Sequence, residues 1–210
     1  KRVWQPIHDN YKSDCLFASG EQWDAKVKAA RKIANLSSLV YNKIPAMIKY
    51  IVNNARSATP AIKCYPVSGG ASQQTAKIFD GLIKSIETQS NANTVYSTAL
   101  TGACTGGLGC WYIEVTADET KDIDQDGEAD ICLEINRVLD PTTVMYDPSS
   151  IKMDRSDASY WFHEKQITAA ELKRRWPDAK TSDTKHGKTA SSKDKVTIVE
   201  YWCRRDIEGN

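Results

Sequence analysis

No stretch of this sequence stays apolar for anything near the ~20 residues that cross a bilayer. The greasiest region, Ile44 to Val52, is interrupted by Pro45, Lys49 and Tyr50. The N-terminus also lacks the basic, apolar and small-residue succession of a secretory leader. No membrane partner is therefore expected. An excess of one charge is missing too: 28 basic residues face 27 acidic ones, for a net charge of +1. Strong duplex binding usually needs a basic face, so the composition gives no sign of it, although local basic patches remain open. Six cysteines are scattered without a C-x-x-C pair, and no Cys–His spacing suits tetrahedral zinc. A chain of 210 residues can bury a core without staples, which favours reduced thiols. Only three histidines occur, His8, His163 and His186, too dispersed for a catalytic set.

What is present is a run of helical patterns followed by alternating ones. Residues 8–34 read as helical with a break at Ser19-Gly20, after which Asp24 is placed to cap a second helix carrying Val27, Ala30 and Ile33. The clearest helix covers 43–57. Ile44, Met47, Ile48, Ile51 and Val52 form one stripe, expected to be spent on the core, and Pro45 falls in the first turn. Thr59-Pro60 stops it, and 61–66 reads as a short strand. Helices over 71–90 and 93–104 follow, ended by Gly102, Gly106, Gly107 and Gly109. Alternation then predicts strands over 110–116, 131–139, 158–164 and 196–203. Thr168 and Glu171 form a T-x-x-E box opening a short helix before Pro177. Residues 178–194 hold no apolar side chain larger than alanine and read as a flexible polar loop. Helices first and mostly antiparallel strands after make the class α+β. The chain opens at Lys1 without a methionine and closes at Gly209-Asn210, just past a strand-like run, so it reads as a fragment.

The sharpest local motif is Asp122-Ile-Asp124-Gln-Asp126-Gly127, followed by Asp130. It resembles the opening of a calcium loop, whose oxygens alternate around a hard cation. The twelfth position, which should be a bidentate Glu, is Leu133, and Glu134 comes one residue late. A plain hairpin turn is the preferred reading, since Asp-Gly suits a tight turn. Asp122, Asp124 and Asp126 stay as candidate metal ligands, and a calcium-binding module, intracellular or extracellular, is the alternative function. The glycine cluster follows a helix and precedes a strand, the reverse of a phosphate cradle, so a helix cap is expected instead. Ser149 and Lys152 match a Ser-x-x-Lys pattern by letter, without the other motifs of such hydrolases. The six tryptophans are read as packing residues rather than base-stacking platforms. No enzymatic constellation emerges, and no cofactor is called for.

Taken in order, several landmarks resemble the portal proteins of short-tailed bacteriophages. They are Gly20-Glu21-Gln22-Trp23-Asp24, Asn42 ahead of the 43–57 helix, and the Asn54 to Val67 segment. Ala76 to Ile86 follows, then Gln89-Ser90-Asn91-Ala92 and Gly106-Gly107-Leu108-Gly109-Cys110-Trp111. The most telling are Tyr146-Asp147-Pro148-Ser149-Ser150 with Asp154 to Ala158, and Arg174-Arg175-Trp176-Pro177-Asp178-Ala179. The resemblance runs from about Gly20 to Trp202, and the ordered set carries it rather than any one element. An Arg-Pro dipeptide usual before the Asn is absent, and Trp176 stands where Tyr is frequent.

The resemblance implies a ring subunit, a dodecamer, at one capsid vertex of the virion, assembled in the bacterial host cytoplasm. Its implied partners are the large terminase, capsid and scaffolding proteins, tail adaptor proteins, and DNA threaded without sequence specificity. It further implies that residues 1–177 form a wing-like body and that 195–210 lead toward a stem, clip and crown outside this sequence.

Overall fold

The computed structural model describes residues 3–58, 62–67, 72–118, 130–179 and 195–204. They fall into two compact units, one from Trp4 to Pro141 and the other from Thr142 onward. Helices lead and antiparallel sheets follow, so the fold is α+β.

In the first unit, α1 (Gln5–Ser19) carries Pro6 in its first turn, where the missing N–H is harmless. It ends at Gly20, which takes φ +115°. Glu21 N donates to Leu16 O at 3.0 Å and Gly20 N to Phe17 O at 3.2 Å, the paired bonds of a left-handed helix end. The helix α2 (Ala25–Ile33) starts on the Asp24 carboxylate, which accepts from Lys26 N at 2.8 Å. It ends the same way, with Asn35 at φ +53° and Leu36 N donating to Arg31 O. The helix α3 (Ile44–Ser57) carries Pro45 in its first turn, and α4 (Gln73–Gln89) is capped by the Ser72 hydroxyl. The helix α5 (Ala92–Gly106) stops at Gly107, φ +79°, whose N–H returns to Ala103 O.

The strand expected over 61–66 is not formed among residues 62–67. That segment is tied to α4 instead, with Cys64 N donating to the Asp80 carboxylate at 2.7 Å. The strands β1 (Trp111–Asp118) and β2 (Asp130–Arg137) pair antiparallel with Ile113 opposite Ile135 and Val115 opposite Leu133. Ile135 packs with Ala92 and Val95 of α5, flanked by Ile86 and Tyr96, and its N–H is held by the Ser90 hydroxyl at 2.9 Å.

The stripe on α3 is only partly spent on this core. Val52 is buried, Ile44 and Ile48 are half-buried, but Met47 is 63 % exposed and Ile51 49 %. The cause is geometric: α1 and α5 contact α3, and the outer part of the stripe curves beyond them.

The second unit is a three-stranded antiparallel sheet, β3 (Val144–Tyr146), β4 (Tyr160–Thr168) and β5 (Lys195–Cys203), in the order β3-β4-β5. Tyr160, Phe162 and Tyr201 cluster their rings within 6.5 Å of one another. The helix α6 (Ala169–Arg175) is capped by Thr168, whose hydroxyl accepts from Glu171 N at 3.1 Å. The Glu171 carboxylate is ion-paired with Arg175. The expected polar loop over 178–194 lies outside the described residues from 180 onward.

Candidate functional site

Three constructions account for most of the sequence landmarks, and each is built from short-range chemistry. The first joins α1, α2 and α3. Asn42 donates from Nδ2 to Ala18 O at 2.7 Å, while its Oδ1 accepts from Ile44 N and from Gln22 Nε2, both at 3.2 Å. One amide thus satisfies the end of one helix and the start of another. Trp23 Nε1 donates to Leu39 O at 3.2 Å, and the Arg31 guanidinium lies 4.7 Å over the Trp23 ring while donating to Ser37 O. Gly20, Gln22, Trp23 and Asn42 are therefore one junction, a role their spacing in the sequence did not disclose.

The second is the contact between α1 and α5. A Cβ built on Gly102 would stand 2.7 Å from Leu108 O, and one on Gly106 only 2.5 Å from the Tyr11 ring. A Cβ on Gly109 would overlap Ala99 O. These three glycines permit close approach, and Gly107 supplies the helix cap that the sequence led us to expect. Tyr11 is the residue the sequence reading missed. Burial pushes its hydroxyl up to about 12, with the Cys15 thiol and Asp140 adding to the rise. Burial likewise raises the Cys110 thiol. All six cysteines are free.

The third is the loop from Asp147 to Ser159. The Asp147 carboxylate accepts from the Ser149 hydroxyl at 2.7 Å, Ser149 N at 2.9 Å and Ser159 N at 3.3 Å. Asp157 accepts from the Ser150 hydroxyl at 2.6 Å, Ile151 N at 2.9 Å and Lys152 N at 3.3 Å. These bonds hold both carboxyls below their ordinary range, Asp157 at about 2, with the serine hydroxyl the largest cause in each case. Arg155, at φ +56°, donates to Ser150 O and lies 4.8 Å over the Tyr146 ring. Asp154 accepts from Ser156 N at 3.1 Å. The Tyr-Asp-Pro-Ser-Ser and Asp-Arg-Ser-Asp landmarks are thus the two halves of one hydrogen-bonded loop.

Nothing in that loop is arranged as a nucleophile and base. The Ser149 hydroxyl is directed to Asp147, and Lys152 Nζ donates to the Ser156 hydroxyl at 3.2 Å, so the Ser-x-x-Lys pattern is not a dyad. His163 is half-buried on β4, with Nδ1 3.9 Å from Glu200, which also pairs with Lys165 at 2.9 Å. The His8 ring lies tilted 5.9 Å from that of the buried Trp4, and Trp111 meets Tyr96 edge to face at 5.4 Å. Asp122, Asp124, Asp126 and His186 lie outside the described residues. Among the described residues no group of His, Cys, Asp or Glu is placed to hold a metal. Among them, too, no helix is long and apolar enough to cross a membrane.

Comparison with known proteins decides what these constructions belong to. The sequence model of the family described as "Phage P22-like portal protein" matches residues 2–209. The chain belongs to the phage P22-like portal protein family. A portal protein of Acyrthosiphon pisum secondary endosymbiont phage 1 is 26% identical over 159 residues, covering 73% of this chain. That stretch is 22% of the relative, so the chain spans about a fifth of the portal protein it matches. The three constructions accordingly belong to the architecture of a portal family chain. The helix junction, the Tyr11–glycine contact and the carboxylate-tied loop each fix backbone geometry.

Proposed function

We infer that the chain forms part of a portal subunit, one of a closed ring at a capsid vertex through which the genome is packaged and ejected. The observation that carries this reading is the family match across residues 2–209. Two features of the described residues agree with it. The built constructions are structural, and many large apolar side chains lie at the surface, as in subunits made to be covered by neighbours. In this reading the chain is the wing-like body, with 1–177 as its main part and 195–210 leading toward stem, clip and crown.

The ring is a dodecamer with no enzymatic activity and no cofactor of its own. The large terminase docks on it during packaging, scaffolding and capsid proteins surround it, and tail adaptor proteins close it afterwards. DNA passes without sequence specificity, consistent with a net charge of only +1. The test is the intact protein under electron microscopy and native mass spectrometry. A closed ring around a channel is the expected result; a strict monomer or an open filament refutes the reading. Capsids assembled without the protein are expected to hold no DNA.

A further inference from the structure

The sheet of the second unit has a long edge that its own described residues leave open. Its strand order is β3-β4-β5, so β5 (Lys195–Cys203) is an edge strand among the described residues. The register with β4 runs residue for residue, from Thr168 opposite Lys195 to Tyr160 opposite Cys203, and Arg204 N donates to Ser159 O at 2.9 Å. In an antiparallel pair, alternate residues turn their backbone groups toward the partner and away from it. The bond from Arg204 fixes the phase. Ile198, Glu200 and Trp202 turn theirs to β4, while Thr197, Val199 and Tyr201 present N–H and C=O groups outward.

Proteins blunt an open edge with proline, a bulge or an unpaired charge. None of these devices is present in β5. It contains no proline, its pairing with β4 is unbroken, and the charged residue in its interior, Glu200, is paired with Lys165 of β4 at 2.9 Å. Apart from Glu200, every residue from Val196 to Trp202 is β-branched or aromatic, the composition of an inner strand. Val199, Tyr201 and Trp202 are nevertheless each more than half exposed.

We propose that β5 is an inner strand of the intact subunit, its open edge paired with a further strand formed by the chain just after Asn210. This rests on the reading of the chain as part of a longer portal subunit. Three observations choose that occupant. The chain aligns with only 22% of the portal protein it matches, so such a subunit has chain to supply. The strands β3, β4 and β5 follow one another in sequence and in space, each antiparallel to the last. The sequence after β5 reaches Gly209-Asn210, a pair suited to the tight turn of a hairpin. Since β4 already holds one edge, a strand returning from that turn runs along the other. A second copy fits less well. Pairing β5 with its own equivalent makes a two-fold pair, not a ring. The sheet's other edge, β3, offers only three residues against the nine of β5. The sheet of the second unit is thereby continuous with the part of the subunit that follows it.

The test reads hydrogen exchange residue by residue in the intact protein. The outward amides of Thr197, Val199 and Tyr201 should exchange as slowly as the inward ones of Ile198 and Glu200, roughly a hundredfold or more below an unprotected amide. A photo-reactive phenylalanine analogue at Tyr201, in intact protein assembled from a mixture of isotopically heavy and light chains, identifies the occupant. Its cross-links should stay within one chain and include roughly the first 15 residues after Asn210, the reach of one returning strand. Fast exchange at Thr197, Val199 and Tyr201 beside slow exchange at Ile198 and Glu200 means a bare edge and overturns the proposal. So does a set of cross-links that joins heavy to light chains or contains none to that segment. Either result in a protein that forms a ring leaves the ring reading intact. A protein that forms no ring refutes that reading, while its exchange and its single-chain cross-links still decide the pairing.

Discussion

The Tyr11 ring lies so close over α5 that a Cβ on Gly106 would stand 2.5 Å from its Cδ2 and 2.9 Å from its Cε2. Glycine in a helix costs about 0.5–1 kcal/mol relative to alanine. The crossing of α1 on α5 needs that cost, because no side chain fits between the two.

A pair of substitutions separates propensity from packing. Gly106→Ala gains helix propensity but must displace the half-buried Tyr11 ring, and should lower stability by about 1–3 kcal/mol. Gly81 also lies inside a helix, α4, and a Cβ there meets nothing within 4 Å. Gly81→Ala should therefore raise stability by about 0.5–1 kcal/mol. Urea midpoints of the two variants should move in opposite directions; shifts of the same sign would refute the Tyr11 contact.

Asn42 offers a second test. Its amide serves Ala18 O, Gln22 and Ile44 N together. Asn42→Ala removes all three bonds in a part-buried place, and should cost about 2 kcal/mol. Asn42→Asp keeps the acceptor but loses the donor to Ala18 O, so it should fall between. Equal stability of the alanine variant and wild type, measured by thermal unfolding, would remove the junction from the account.

The calcium question has a direct answer in melting temperature. Counting from Asp122, the twelfth position is Leu133, which sits in β2 opposite Val115 rather than on an exiting helix. A bidentate carboxylate cannot come from there. Millimolar calcium should leave the melting temperature unchanged, and Asp124→Ala with Asp126→Ala should make no difference to that result. A calcium-dependent rise abolished by the double variant would restore the binding module.

Much of this fold was legible in the sequence because its signals are local. Asp24 and Thr168 cap helices by bonds spanning two or three residues, and Gly20 and Gly107 end them through their own backbone freedom. Alternation of Trp111, Ile113 and Val115 and of Ile131, Leu133 and Ile135 sets which side chains share a face of the β1–β2 pair. What escaped depended on distant partners. Residues 62–67 alternate like a strand, but the Asp80 carboxylate takes Cys64 N. The stripe on α3 has the periodicity of a core helix, yet Met47 and Ile51 lie beyond its neighbours. Tyr11 could have been suspected from Gly102 and Gly106, four apart on one helix face, a spacing that invites a large ring.

The loop held by Asp157 predicts an acid sensitivity of known sign. Folding lowers this carboxyl from its ordinary 3.8 to about 2, chiefly through the Ser150 hydroxyl and then Ile151 N. The unfolded chain therefore binds protons more readily than the folded one between those two values. Stability linked to the group is fully present above the unfolded value and is lost as pH falls through 3.8 toward about 2. Asp157→Asn keeps the shape but replaces one accepting oxygen with a donor, which cannot take the N–H and hydroxyl bonds the carboxylate takes. The variant should be less stable than wild type at neutral pH, and its stability should fall less steeply on acidification. Some slope will remain, because Asp147 is also lowered by Ser149 and titrates in the same direction. Urea unfolding of both proteins from pH 6 down to pH about 2, the folded value of this carboxyl, reads the difference directly. Parallel curves would mean that the Asp157 bonds contribute nothing in solution, and that the loop is held by Asp147 and Arg155 instead.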